Sequence, residues 1–86
     1  MPDRVREILI SALHAAADWR QSVAAVEQAI LAGDLDVPLE RLEFDSLAWM
    51  EFCISIELQS RQELTPADIE SMQRISEIDA WLRARL

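Results

Sequence analysis

The sequence predicts a single all-α domain over residues 1–86, built as a bundle of four or five helices. The chain contains one Gly and three Pro, too few for the many tight turns of a β-sandwich or barrel. Apolar residues recur at helical spacing in several segments, and no segment alternates well enough to form a strand. At 86 residues, the chain has room for one hydrophobic core.

The first two helices are predicted over residues 4–17 and 19–32. Asp3 is expected to cap the first helix, and Gly33 suits the position that follows the end of the second. The second pattern is weaker, so residues 19–32 could instead form an ordered loop. The apolar positions are Val5, Ile8, Leu9, Ala12, Leu13 and Ala16 in the first segment, and Trp19, Val23, Val26, Ala29 and Ile30 in the second.

A loop and the longest predicted helix follow. Residues 34–44 have no sustained apolar period and contain Pro38, which predicts a loop anchored by apolar side chains. Residues 46–59 are predicted to be helical, with Asp45 as the N-cap. A small core can bury only one stripe of a helix, yet this segment carries two, so the second must contact another helix or a partner. The loop anchors are Leu35, Leu39 and Leu42. One apolar stripe of the helix consists of Leu47, Met50, Ile54 and Leu58. The other consists of Trp49, Phe52, Cys53 and Ile56.

Two further helices are expected near the end of the chain. Thr65 as a cap, Pro66 at the first position and Asp68 at the third predict a short helix. Ile69 and Met72 are its candidate core residues. Ser76 is expected to cap the last helix, which carries Ile78, Trp81, Leu82 and Leu86, with Arg83 and Arg85 at the end that favours cations.

The charge distribution excludes several classes of function. Residues 34–70 hold ten acidic and two basic residues, a net charge of −8 that equals that of the whole chain. Such a segment repels nucleic acid and membrane surfaces and attracts a basic protein partner. The chain has no lysine, which removes Schiff-base chemistry and a P-loop. No tract of about 18 apolar residues is present to span a membrane.

The chain offers little for catalysis. His14 and Cys53 are the sole residues of their types, so no internal disulfide, no metal cluster and no nucleophile–base pair is expected. No basic residue lies near Cys53 in sequence, which favours a buried, inert thiol. We therefore expect a protein that is not an enzyme, in a reducing, cytoplasmic setting.

Ser46 is the position with the clearest chemical potential. It follows the expected cap Asp45 at a helix start, where a phosphate attached to its hydroxyl would lie beside unpaired N–H groups and the positive helix end. Taken alone, this pattern is more typical of an ordinary serine in a capping region.

The surrounding residues resemble the signature of acyl carrier proteins over roughly residues 36–84. The matching positions are Leu42-Glu43-Phe44-Asp45-Ser46-Leu47, Met50-Glu51, Ile56-Glu57, Glu63-Leu64-Thr65-Pro66, Asp68, Ile75 and Trp81-Leu82. The resemblance implies a stand-alone, monomeric carrier of four helices, to which residues 19–32 could add a fifth. Ser46 would bear 4′-phosphopantetheine, whose thiol holds an acyl group as a thioester for a fatty-acid, polyketide or other acylation pathway.

The resemblance also implies partners and roles for individual residues. The partners would be a phosphopantetheinyl transferase, an acyl-loading ligase or synthase, and acyltransferases with basic docking patches. Docking would involve Asp45, Leu47, Met50, Glu51, Ile54 and Glu57, while Trp49, Phe52, Ile56, Leu64, Ile69 and Ile75 would form the core and acyl pocket.

Several departures from the family pattern indicate a specialised carrier. Glu43 stands where the family has Gly, Ala48 and Leu58 stand where acids are common, and the stretch before Ser46 is longer. Trp49 is expected to narrow the acyl pocket and favour short or polar cargo. Two alternatives remain: a peptidyl- or aminoacyl-type carrier, and an unmodified helical adaptor that binds partners through Leu47, Met50 and Ile54.

Overall fold

The computed structural model describes residues 3–17 and 21–86, and within them it contains five α-helices and no strand. The helices are α1 (Arg4–Ala17), α2 (Gln21–Leu31), α3 (Ser46–Ser60), α4 (Pro66–Glu70) and α5 (Ile75–Arg85), with a 3-10 turn at Leu39–Leu42. The all-α prediction is confirmed, and most of residues 19–32 form a helix rather than a loop. Trp19 lies outside the described residues.

Helix α1 packs chiefly against α3, and these two helices form the centre of the core. Its start is capped as predicted, because the Asp3 Oδ1 accepts hydrogen bonds from the backbone N–H groups of Val5 at 3.1 Å and Arg6 at 3.3 Å. Ala17, four residues after the buried Leu13, is buried as well, whereas the predicted Ala16 is only partly buried. The remaining predicted positions are buried: Val5, Ile8, Leu9 and Ala12.

Helix α2 ends at the predicted glycine. Gly33 has a φ of 88°, and its N–H donates to the Ile30 carbonyl while the Asp34 N–H donates to the Ala29 carbonyl at 2.8 Å. This pair of hydrogen bonds satisfies two of the last carbonyls of the helix. It requires a residue whose backbone is in the left-handed conformation, which glycine adopts without steric cost. The helix buries Val23, Val26 and Ile30, and Ala29 is partly buried.

The loop 34–44 holds the start of α5 in place. The N–H of Ile75 donates to the Val37 carbonyl at 2.9 Å, and the N–H of Ser76 donates to the Leu35 carbonyl at 2.8 Å. The prediction that Ser76 caps α5 is therefore wrong: the N-cap is Arg74, two residues earlier, and loop carbonyls satisfy the first N–H groups in place of a side chain. The loop anchors Leu39 and Leu42 are buried, Leu35 is partly buried, and Val37 is buried without having been predicted.

Helix α4 begins with the predicted capping box. The Thr65 Oγ1 accepts from the Asp68 N–H at 3.2 Å, and the Asp68 carboxylate accepts from the Thr65 N–H at 2.9 Å. The Asp68 carboxylate also accepts from the Thr65 hydroxyl at 2.9 Å, and the two bonds that it accepts from Thr65, first the one from the backbone N–H, hold the pKa of Asp68 below its usual range. Ile69 is buried and Met72 is partly buried.

An ion-pair network joins the start of α1 to α5. Arg83 bonds the Asp79 carboxylate through Nε at 2.7 Å and the Asp3 carboxylate through Nη2 at 2.6 Å. Asp79 is only 7% exposed, so Arg83 neutralises a carboxylate that lies largely out of water. Leu86 follows α5 and is 55% exposed, although the sequence pattern places it on the apolar side.

Candidate functional site

Ser46 occupies an exposed position at the first residue of α3. Asp45 is the N-cap, as predicted, and its Oδ1 accepts the Ala48 N–H at 2.8 Å. The cap sets the direction of the first turn, which leaves the Ser46 side chain on the surface beside the positive end of the helix. A hydroxyl so placed is accessible from the solvent.

The outer face of α3 consists of Leu47, Met50, Ile54 and Leu58, which are 59%, 48%, 49% and 78% exposed. The acidic residues Glu51 and Glu57 of the same helix are also exposed. On the opposite side, Phe52 and Ile56 are fully buried in the core. The prediction of two apolar stripes, of which only one enters the core, is confirmed.

A groove of about 640 Å³ opens beside Ser46. We call it the Ser46 groove; Ser46 and Pro66 are among the residues that line it. Its apolar lining comes from Leu39, Phe44, Trp49, Met50, Ile69 and Met72, and its carboxylates come from Glu40, Glu43 and Glu70. Of the six residues predicted to form the core and acyl pocket, Trp49 and Ile69 line the groove, whereas Phe52, Ile56, Leu64 and Ile75 belong to the buried core.

Trp49 lies at the boundary between the core and the Ser46 groove. It is partly buried, and its ring makes edge-to-face contacts with Phe44 at a centroid distance of 4.9 Å and with Phe52 at 5.4 Å. Edge-to-face pairs of this kind fix the orientation of an aromatic ring. The indole therefore forms a defined part of the groove wall.

Glu43 adopts the left-handed backbone conformation, with φ 55° and ψ 35°. Residues other than glycine seldom adopt it, because the Cβ atom then crowds the following carbonyl. The position lies two residues before Asp45, where the resemblance leads one to expect glycine. The backbone at this position thus has the conformation that glycine favours, although the side chain differs.

The single cysteine is buried in the core, and the single histidine contacts a glutamate of the neighbouring helix. Cys53 is 4% exposed, and burial raises the pKa of its thiol to about 11, so the thiolate is scarce near neutral pH. His14 of α1 contacts Glu27 of α2, with 2.8 Å between Nε2 and Oε1. Within residues 3–17 and 21–86, no group of three or more His, Cys, Asp or Glu side chains could hold a metal ion.

The groove is the part of the site that sequence reasoning missed. Its carboxylates come from the 3-10 turn, from Glu43 just after it and from the end of α4. No local periodicity marks them as neighbours, because the tertiary fold alone brings these segments together.

In the part of the chain that the structure describes, no helix has both the length and the apolar character needed to cross a bilayer.

Comparison with protein-family models, with curated proteins and with solved structures finds no significant match.

Proposed function

We propose that the chain is an acyl carrier protein whose Ser46 bears 4′-phosphopantetheine. The observation that carries this proposal is the exposed Ser46 at the capped start of α3, directly beside the Ser46 groove. The left-handed backbone at Glu43 adds support, because it fits the glycine of the family signature. The thiol of the attached arm, rather than a protein side chain, would hold the acyl group.

Attachment of the arm is a phosphoryl transfer from coenzyme A. The Ser46 oxygen attacks the phosphorus that bears the pantetheine, and a new P–O bond forms. The anhydride P–O bond breaks, the adenosine 3′,5′-bisphosphate leaves, and the serine proton passes to a base of the transferase. That enzyme also supplies the Mg²⁺. Asp45 contributes by fixing the helix start, and its own carboxylate is engaged by the Ala48 N–H.

The outer face of α3 is the surface on which we propose that partner enzymes dock. Its apolar side chains remain exposed, and Glu51 and Glu57 supply negative charge on the same helix. A transferase, a loading ligase or synthase, and acyltransferases with basic patches would be steered towards it, and this attraction would weaken with salt. We place these reactions in the cytoplasm.

The same outer face favours a second candidate, an unmodified helical adaptor. Exposed apolar side chains at Leu47, Met50 and Ile54 suit a partner helix whether or not Ser46 is modified. The two candidates differ in the fate of the serine hydroxyl.

Intact-mass measurement separates these candidates. We expect incubation with coenzyme A, Mg²⁺ and a broad-specificity transferase to add one phosphopantetheine to the wild type and to Ser11→Ala, and none to Ser46→Ala. Ser11 is exposed on α1, which makes it a matched control. A wild type that stays unmodified beside a carrier that is modified would favour the adaptor.

A further inference from the structure

A segment of three residues joins the 3-10 turn to Ser46. Glu43 reverses the chain through its left-handed backbone, and its N–H donates to the Glu40 carbonyl at 3.1 Å. Phe44 follows, and Asp45 caps α3. An extended residue spans only about 3.5 Å, so three residues have little length with which to absorb a shift of the turn. The position of the turn therefore sets where Ser46 lies.

Helix α2 holds the end of this turn. Ser22, the second residue of α2, donates from Oγ to the Leu42 carbonyl at 3.1 Å. Leu42 is the last residue of the turn and is fully buried, and a buried carbonyl that loses its partner destabilises the arrangement around it. The helix also packs against the turn. A hydroxyl that lies 24 residues before Ser46 in the sequence thus holds the backbone that leads to it.

The far side of the left-handed residue is held by an aromatic contact. The ring of Phe44 meets the ring of Trp49 edge to face, with 4.9 Å between their centroids. A left-handed conformation is unfavourable for a residue with a Cβ atom, and it persists where the surrounding structure fixes it. At Glu43 the surroundings are fixed on both sides, by the Ser22 hydrogen bond before it and by the ring contact after it.

We infer that Ser22 is a positioning residue for the attachment of the arm, an inference that rests on the proposed function of Ser46. Through Leu42 and the left-handed Glu43, its hydroxyl fixes the start of α3 in the free protein. The transferase then meets Ser46 already in the arrangement that it binds. When only a fraction of the molecules has that arrangement, the apparent affinity falls by the same fraction, while the chemical step after docking is unchanged.

The test measures the kinetics of arm transfer from coenzyme A, with the carrier as the varied substrate and a broad-specificity transferase as the enzyme. We expect Ser22→Ala to raise KM roughly threefold to tenfold, the change that corresponds to one hydrogen bond of ordinary strength, with kcat within about twofold of the wild type. Ser22→Thr keeps the hydroxyl and should keep the wild-type KM.

Ser60→Ala is the matched control. Ser60 is buried, and its Oγ donates to the Ile56 carbonyl at 2.6 Å, so this variant also loses a bond from a serine hydroxyl to a backbone carbonyl. Ser60 ends α3, about 21 Å along the helix axis from Ser46. We expect its Tm to fall while its KM for transfer stays at the wild-type value. All variants are assayed at a temperature at which circular dichroism shows them folded.

The outcomes distinguish the positioning role from the carrier function. If the wild type accepts the arm and Ser22→Ala keeps the wild-type KM, whatever its kcat, the positioning role is wrong and the carrier function stands. The positioning role is equally wrong if Ser60→Ala raises KM as much, since lost stability would then explain the effect, or if Ser22→Thr behaves as Ser22→Ala does. If the wild type takes up no arm, both proposals are overturned.

Discussion

The left-handed backbone at Glu43 leads to a prediction about stability that also tests the family resemblance. Glu43→Gly removes the crowding of the Cβ atom at φ 55°. That crowding costs about 1–2 kcal/mol for a residue with a side chain, and the greater freedom of glycine in the unfolded chain offsets about 0.5–1 kcal/mol of the gain. The backbone change should therefore stabilise the fold by about 1 kcal/mol.

The side chain of Glu43 has to be separated from its backbone, because it also lines the Ser46 groove. Glu43→Ala provides this separation, since it removes the same side-chain atoms but keeps a Cβ in the left-handed conformation. We expect the glycine variant to be about 1 kcal/mol more stable than the alanine variant, or about 4–8 °C higher in Tm for a domain of this size.

Urea denaturation followed by circular dichroism measures the difference in the free energy of unfolding. Arg61, which ends α3 with φ 61°, gives an independent comparison: Arg61→Gly should likewise exceed Arg61→Ala by about 1 kcal/mol. If alanine is as stable as glycine at position 43, the backbone there is not left-handed in solution. The match to the glycine of the family signature would then lose its structural support.

Three further predictions concern charges. Arg83→Met should destabilise the fold by about 2 kcal/mol, because Asp79 loses its partner while buried; urea denaturation should show Arg83→Met/Asp79→Leu recovering most of that loss. Glu51→Arg should slow arm transfer several-fold at low salt and change stability by under about 1 kcal/mol, whereas Glu63→Arg, with the same charge change off α3, should be transferred at the wild-type rate. The hydrogen bonds from Thr65 hold the pKa of Asp68 below the ordinary value of an aspartate, so its stabilising contribution is present above that ordinary value and is lost as the pH falls through the lower, folded-state pKa. Urea denaturation between about pH 5 and about pH 2 should therefore show a shallower loss of stability in Asp68→Asn than in the wild type.

Local signals in the sequence predicted the helix ends well, because each end depends on a few neighbouring residues. Asp3, Asp45 and the pair Thr65 and Asp68 all accept the backbone hydrogen bonds expected of them. Ser76 does not cap α5, although serine is a common N-cap residue. The carbonyls of Leu35 and Val37 reach the start of α5 from a distant segment, and no local pattern encodes that approach.

The two faces of α3 were predictable for a similar reason. Apolar side chains on opposite sides of one helix exceed what a small core can bury. Phe52 is buried in the core, whereas Ile54 on the other side of α3 is exposed. The acidic lining of the Ser46 groove was not predictable, because Glu40 and Glu70 are distant in sequence and the tertiary fold alone places both along one groove.

The accessible thiols of the native protein test the central claim most directly. Cys53 is the only cysteine, it is 4% exposed, and its thiol pKa is raised to about 11, so it should not react with a thiol reagent near neutral pH. We expect no reactive thiol before incubation with coenzyme A and transferase, one afterwards, and none in Ser46→Ala. A native protein that gains no reactive thiol, under conditions in which another carrier does, would contradict the proposal that Ser46 holds the arm.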